Sequence, residues 1–181
     1  MKIEFFIAGT PRPAGSKKAF LNKKTGRVIV MDQSDNKEWR NSVTRAAWLQ
    51  MASLGQQELW RGAVAIAVMF YRQRPKAHYN SSGGLKTQFS NFSVQPIMAP
   101  DTTKLLRCVE DAMNGVVYAD DSQVIYQIAG KQYWSTPGAR ISVAQLNLPE
   151  DLRIFTDDFF SARFMHPSSY PLPDEQLYLK S

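Results

Sequence analysis

The sequence predicts an α+β domain in which a mixed β-sheet packs against two helices. Two kinds of apolar spacing support this prediction. In several stretches apolar residues alternate with polar ones, as in strands with one buried face, and in two others they recur every third or fourth position, as in helices. The predicted order is strand, hairpin, helix, strand, long loop, helix, strand and strand.

The first strand is predicted at residues 2–8. Ile3, Phe5 and Ile7 lie at every second position, so they share one face of the strand. Prolines and a glycine within residues 11–15 then end the pattern, because proline has no N–H to donate to a sheet ladder.

A hairpin and the first helix follow. A hairpin is predicted at residues 18–31, where two short apolar runs flank a turn at 23–26. Asp35, with Glu38 three positions later, resembles a capping box, and the helix is predicted over residues 36–54. Its apolar positions at helical spacing are Trp39, Val43, Ala46 or Ala47, and Met51.

The clearest strand is predicted at residues 63–71. Large apolar residues lie on one face and alanines on the other, a pattern that suits a sheet against which a helix packs closely. Residues 72–100 lose this periodicity and are rich in Ser, Gly, Asn, Gln and Lys. Loops of this length are usually functional or mobile.

The second helix is predicted from residue 102 to residue 114, with Gly115 as its C-terminal cap. The final strands are predicted at 123–129 and 139–146, with a turn around 136–138. The helix is expected to bury one stripe and to present charged residues on another face. The buried positions are Leu105, Cys108 or Val109, and Ala112, and the charged ones are Lys104, Arg107 and Asp111.

Charge divides the chain at residue 147. The whole chain carries a formal charge of +6, but residues 148–181 hold three basic and six acidic groups. Residues 1–147 therefore carry 19 basic and 10 acidic groups, a net of +9. We predict a basic domain at 1–147 and an acidic, aromatic C-terminal extension at 148–181. A basic domain fits a phosphate-rich partner, although charge alone is also compatible with no nucleic-acid role.

Several classes of protein are excluded by composition. No apolar run is long enough to span a membrane, and no glycine-rich nucleotide-binding motif is present. The single cysteine, Cys108, excludes an internal disulfide and predicts a reducing, cytoplasmic setting. His78 and His166 are not placed beside a nucleophile, so a histidine-based hydrolase has no support.

The candidate chemistry lies in acidic residues around the second helix. Asp101 precedes the helix, and Asp120 and Asp121 lie between the helix and the next strand. If helix and strand are neighbours, the acidic points can meet at one end of the pair. Clustered carboxylates favour a hard cation such as Mg²⁺ or Mn²⁺, which can activate water against a phosphodiester. Arg107 could stabilise charge on the phosphate.

Each of these features also has an ordinary structural interpretation. An aspartate before a helix is commonly an N-cap, and an Asp-Asp pair before a strand is commonly a solvated turn. The basic residues of the hairpin could neutralise DNA phosphates or could only discourage edge pairing. The candidate DNA-binding residues are Lys17, Lys18, Lys23, Lys24, Arg27 and, on the second helix, Lys104.

The order of motifs resembles the RusA-like family of Holliday-junction resolvases. The similarity rests on the runs PDTTKLLR (100–107), EDAMNG (110–115) and VYADDSQV (117–124). The run GTPRPAGSK (9–17) is similar to phage-type members. The resemblance covers about residues 1–147. It implies a RusA-like fold, an intertwined homodimer, and a Mg²⁺-dependent endonuclease that introduces paired symmetric nicks into four-way DNA junctions during recombination and repair.

The resemblance also implies roles for individual residues. Asp101 matches the first motif aspartate, and Asp121 matches the catalytic second aspartate of the Asp-Asp pair, with Asp120 beside it as a metal ligand. Arg107 falls at the motif lysine and Lys104 at the motif asparagine. Catalysis is therefore expected from Asp101, Asp121 and Arg107, with Mg²⁺ as cofactor and Mn²⁺ as a substitute.

The chain departs from the family pattern at Thr103, where the family has a second aspartate. A threonine cannot supply an anionic ligand, so the metal site is one carboxylate short. Either Asp120, Asp111 or Glu110 makes up the missing ligand, or the protein binds junctions and cuts them poorly.

Overall fold

The computed structural model describes residues 1–15, 17–22, 24–32, 36–89 and 95–160 of the chain. This part contains six strands, three α-helices and three short 3₁₀ turns. The strands are β1 (Lys2–Ala8), β2 (Lys17–Leu21), β3 (Val28–Asp32), β4 (Val64–Gln73), β5 (Val124–Trp134) and β6 (Gly138–Gln145). The helices are α1 (Lys37–Ser53), α2 (Thr102–Met113) and α3 (Pro149–Phe160), and the 3₁₀ turns are Lys76–His78, Thr87–Phe89 and Asp121–Gln123.

Four strands form one mixed sheet in the order β1-β6-β4-β5. β4 pairs with β5 in parallel, whereas β6 is antiparallel to both β1 and β4. This arrangement confirms the predicted α+β class with a mixed sheet. The predicted hairpin is also confirmed, because β2 and β3 pair only with each other as a separate two-stranded sheet.

One face of the sheet carries the main core. The large residues of β4, from Val64 to Phe70 at every second position, pack with buried residues of α1 and α2. The predicted buried stripes of both helices are confirmed. α1 and α2 lie side by side, and the Thr44 hydroxyl of α1 donates to the Ala112 carbonyl of α2 at 2.8 Å.

The prediction of two helices is wrong, because a third helix, α3, lies within the predicted C-terminal extension. Phe155 of α3 is buried against the small-residue face of β4, which includes Ala65 and Ala67. Alanines leave room for a bulky side chain from a helix that packs closely. The second face of the sheet is therefore covered by residues beyond 147.

The bounds of other elements differ in detail. β5 continues to Trp134, five residues beyond the predicted end at 129. The turn at 136–138 joins two strands that do not pair, since β4 lies between β5 and β6. Asn36 is the N-cap of α1 and makes no side-chain cap bond, while Asp35 of the predicted capping box lies outside the described residues.

The long loop is partly structured. β4 extends into it as far as Gln73, and two 3₁₀ turns and a Tyr79–Leu85 bridge follow. At the end of α2, Asn114 is the C-cap and Gly115 adopts a positive φ of 75°. Within the described ranges, no helix is long and apolar enough to cross a membrane.

Candidate active site

α2 connects the two places where acidic residues were predicted. Near its N-terminus, Lys131 of β5 reaches the Pro100 carbonyl. Farther along α2, Glu110 accepts a short hydrogen bond from Gln127, which lies nearer the start of β5. α2 therefore runs antiparallel to β5. We call the N-terminus of α2, with the last residues of β4 and β5, the Asp101 end, and the later turns of α2, with the 120–123 turn, the Asp121 end.

At the Asp101 end, Asp101 is the N-cap of α2 but makes no side-chain cap hydrogen bond. Its carboxylate instead pairs with Lys104 one turn later, at 3.1 Å from Oδ2 to Nζ, and 60% of the Asp101 side chain is exposed. Asp101 is thus accessible to a cation or to solvent.

Two cations from neighbouring strands hold the backbone directly before Asp101. Lys131 donates to the carbonyl oxygens of Met98 at 2.9 Å and Pro100 at 3.0 Å. Arg72 of β4 donates to the Ala99 carbonyl in a short hydrogen bond and lies 3.4 Å from that of Met98. Three successive carbonyls are therefore fixed to the sheet, which determines where α2 begins.

The basic hairpin starts at the same end of the molecule. The Ala14 N–H donates to the Lys104 carbonyl at 2.8 Å, which ties the segment before β2 to the first turn of α2. Lys24 and Arg27 are exposed near the hairpin turn. Lys17 and Lys18 belong to β2, but their side chains, like the whole of Lys23, lie outside the description.

At the Asp121 end, Gln123 fixes the turn that carries the Asp-Asp pair. Its Oε1 accepts from the backbone N–H groups of Ala119 at 2.8 Å and Asp120 at 3.0 Å. Its Nε2 donates to the carbonyls of Trp60 at 3.0 Å and Gly62 at 2.9 Å. All four groups of the side-chain amide are thereby used, and the turn is attached to the loop before β4.

Asp120 has a structural role in this turn. It accepts from the Ser122 N–H at 2.9 Å and forms a capping box with Gln123. Hydrogen bonds from the side chain and backbone of Ser122 lower the pKa of Asp120. Asp121 is the first residue of the 3₁₀ turn and is exposed. Of the two, Asp121 is the one whose carboxylate is not used to cap the turn.

Glu110 is the carboxylate of α2 that faces Asp121. It is half-buried and accepts a hydrogen bond from Gln127. Burial raises the pKa of Glu110, and the charges of Asp121 and Asp111 raise it further. Tyr118, which is fully buried, donates from its hydroxyl to the Glu110 carbonyl at 3.0 Å, and burial raises its pKa as well. Negative charge therefore accumulates around Glu110.

Arg107 supplies the opposing positive charge. It is exposed on α2, and its guanidinium acts on Glu110 in the direction that favours the carboxylate. Thr103 is exposed in the first turn of α2, closer to Asp101 than to Glu110. The threonine and the arginine thus belong to different turns of the helix.

The expectation that the acidic points meet at one end is wrong for a single chain. Asp101 opens α2, whereas Asp121 lies beside Glu110, nine positions later in the helix, or about 13 Å along its axis. In the part of the chain that the structure describes, no group of three or more His, Cys, Asp or Glu residues could hold a metal ion. Asp101 and Asp121 are separated because α2 runs antiparallel to β5.

Four residues that sequence reasoning did not select hold these two ends in place: Arg72, Gln123, Gln127 and Lys131. Gln123 had a detectable signal, since it lies three residues after Asp120 as in a capping box. The other three act across neighbouring elements, so local spacing carries no signal for them.

Comparison with known proteins gives two findings. The sequence model of the family described as endodeoxyribonuclease RusA matches residues 9–144, well over half of the chain. A protein of Bacillus subtilis (strain 168), named uncharacterized protein YqaN, is 26% identical over 145 residues, which cover 80% of this chain and 97% of YqaN. The region that the family model matches includes both ends of α2 and three strands of the four-stranded sheet, β4, β5 and β6 without Gln145, whereas β1 lies before it.

Proposed function

The chain belongs to the RusA family of endodeoxyribonucleases, and from that premise we propose that it resolves four-way DNA junctions by paired symmetric nicks in a Mg²⁺-dependent reaction. The observation that carries the proposal is the family match over residues 9–144. We place the activity in the cytoplasm of a bacterium or phage-infected cell, in recombination and repair.

Mg²⁺, with Mn²⁺ as a substitute, fits the carboxylates around α2. The negative charge of Asp121 raises the pKa of Glu110, and a hard cation with oxygen ligands would relieve that repulsion. Asp101, exposed and ion-paired with Lys104 one turn away, offers another anionic oxygen. A cation held by these residues would polarise the phosphodiester and lower the pKa of an attacking water.

A homodimer would bring the separated acidic residues together. A two-fold axis that passes beside α2, perpendicular to it and level with its middle, would pair α2 with an antiparallel copy. Asp101 of one chain would then lie beside Asp121 of the partner subunit, and two equivalent sites would form. β5 supports such an arrangement, because it is an edge strand of the four-stranded sheet and exposes Ile125 and Tyr126. Two sites related by a two-fold axis also match two equivalent strands of a junction.

Arg107 would act on the substrate directly. Its exposed guanidinium lies on the same side of α2 as Glu110 and can donate to non-bridging phosphate oxygens. There it would stabilise the charge that builds on the phosphate as water attacks. Asp120 would contribute less, because its carboxylate already caps the turn.

A labelled four-way junction tests this proposal. With Mg²⁺ or Mn²⁺ the protein should produce paired nicks at symmetric positions, and Asp121→Asn should bind the junction without cutting it. Asp157→Asn, which removes an exposed carboxylate of α3 on the other face of the sheet, is the matched control and should cut normally. The proposal would fail if the unmodified protein made no nicks with either cation.

Thr103 favours a second candidate, a protein that binds junctions but cuts them poorly. Because Thr103 cannot donate an anionic oxygen near Asp101, the cation would be held by fewer carboxylates. The variant Thr103→Asp distinguishes a weakened nuclease from a protein that only binds junctions. A nuclease weakened by a missing ligand should cut faster with the added carboxylate, whereas a binding protein should retain junctions in the presence of a chelator and cut in neither form.

A further inference from the structure

The loop between β4 and α2 forms a basic surface that the sequence prediction of DNA-binding residues did not include. We call residues 74–89 the β4–α2 loop. Residues 59–100 contain five arginines and lysines and no Asp or Glu. Three of the cations, Arg74, Lys76 and Lys86, lie in the loop itself. A stretch of this length without a carboxylate keeps its positive charge uncompensated locally.

The β4–α2 loop has a defined structure. Asn80 accepts the Gly84 N–H at 2.7 Å through its side chain, and the Lys86 N–H donates to the His78 carbonyl at 3.0 Å. The ring of His78 stacks on that of Phe89, with centroids 3.9 Å apart and planes 9° from parallel. His78 also meets Tyr133 of β5 edge-on at 5.6 Å. The loop is therefore both internally closed and docked on the sheet.

The cations of the loop are held by neutral groups. Arg74 donates to the Phe89 carbonyl at 3.1 Å and lies over the ring of Tyr133, 4.9 Å from its centroid. Lys86 donates to the Ala77 carbonyl at 2.9 Å. Among the described residues, no carboxylate lies within ion-pair distance of Arg74, Lys76 or Lys86. Because no described carboxylate neutralises these three side chains, their positive charge remains available to an anion.

The position of the loop relates it to the candidate active site. β4 enters the loop through Arg72, whose guanidinium binds the Ala99 carbonyl two residues before Asp101. The basic hairpin β2–β3 is tied to the first turn of α2 through the Ala14–Lys104 hydrogen bond. Two basic projections therefore start from the Asp101 end.

We propose that the β4–α2 loop binds the phosphates of a duplex arm of branched DNA, through Arg74, Lys76 and Lys86, beside the Asp101 end. This inference rests on the proposed function. A DNA backbone fits the surface better than a protein partner does, because Tyr79 is the one large apolar residue that residues 74–89 expose. Ile97 and Met98, which are also exposed, lie farther along the same connection, close to Asp101. Protein interfaces need an apolar centre, whereas phosphate contacts need only positioned cations.

Salt dependence of junction binding provides the test. The logarithm of the binding constant falls linearly with the logarithm of the salt concentration. Each phosphate contact that is removed makes this slope less steep by about 0.9. Lys76→Gln should therefore reduce the slope by about one, and the double variant Lys76→Gln/Lys86→Gln by about two. Arg153→Gln on α3 removes an exposed charge from the other face of the sheet and should leave the slope unchanged.

The cutting rate should be unchanged in Arg153→Gln, because Arg153 lies on α3, away from the proposed DNA-binding surface and from the candidate active site. Slopes in both loop variants equal to that of the unmodified protein would overturn the inference. If the unmodified protein did not bind or cut junctions, the proposed function itself would fail, which is a different result. Lys76 makes no described contact that its loss would break, so misfolding does not obscure the comparison.

Discussion

The side-chain ammonium of Lys131 lies 3.0 Å from the carbonyl oxygen of Pro100, the residue directly before Asp101. The same ammonium reaches the Met98 carbonyl, so one strand residue sets the path of the chain into α2. The candidate active site thus depends on the sheet as well as on α2, because β5 holds the backbone that orients its first carboxylate.

Lys131→Met should slow cutting and leave junction affinity nearly unchanged. Removing the ammonium removes one hydrogen bond from each of the Met98 and Pro100 carbonyls and lets Asp101 shift, and a displacement of about 1 Å can cost up to about 100-fold in rate. Single-turnover cutting at saturating junction measures the effect. Lys131→Arg keeps the charge and should restore most of the rate. Equal rates for the methionine variant and the unmodified protein would exclude this positioning role.

Gln123→Glu should destabilise the protein and slow cutting together. A glutamate keeps the acceptor for Ala119 and Asp120 but cannot donate to the carbonyls of Trp60 and Gly62. Losing two hydrogen bonds, one of them partly buried, costs about 2 kcal/mol in the free energy of unfolding. Urea denaturation measures that cost. Gln57→Glu, the same change at an exposed glutamine, is the control and should leave the free energy of unfolding nearly unchanged.

Phe155→Ala should lower the free energy of unfolding by about 3 kcal/mol, because it leaves a cavity over the alanines of β4. Truncation after residue 147 should have at least this effect, since it uncovers the same face of the sheet. Thermal unfolding followed by circular dichroism measures both variants. Ile154→Ala, at an exposed position of α3, is the control and should be close to neutral. A truncated chain as stable as the full one would show that residues 148–181 form an independent extension.

Asp151 should make α3 sensitive to acid. Its carboxylate accepts the N–H groups of Asn147 at 2.8 Å and Leu148 at 2.9 Å, and these bonds lower its pKa. A lowered folded-state pKa stabilises the fold above the unfolded pKa, and this contribution is lost as pH falls through the folded value. Asp151→Ala should therefore be less stable than the unmodified protein at neutral pH, and the gap should close as the pH falls from the unfolded aspartate pKa of about 3.9 through the lower folded value. A gap that stayed constant with pH would contradict the assignment.

The sequence predicted the fold class and most elements because their signals are local. Alternation in β1 and β4, helical spacing in α1 and α2, and the turn glycine Gly26 each act within a few residues. α3 was missed although Pro149, Glu150 and Asp151 form a helix start, because the acidic and aromatic composition of the tail was given more weight than its spacing.

The site was predicted less completely because it depends on the direction in which elements pack. The sequence identified Asp101 and Asp121 as acidic points, but nothing in their spacing says that α2 runs antiparallel to β5 and separates them. From the sequence, Glu110 is one of three alternative ligands, and the structure adds that it lies close to Asp121. Lys131 and Arg72 had no signal, since both act on a loop distant in sequence.

A mixing experiment tests most directly the claim that each site combines Asp101 of one chain with Asp121 of the partner subunit. Asp101→Asn and Asp121→Asn should each be inactive alone on a four-way junction with Mg²⁺. When the two are refolded together, the heterodimer retains one intact pair of aspartates, so it should nick one strand of each junction and fail to produce paired nicks. Complete inactivity of the heterodimer, with paired nicking by the unmodified protein treated in the same way, would contradict the account and place both aspartates of each site in one chain.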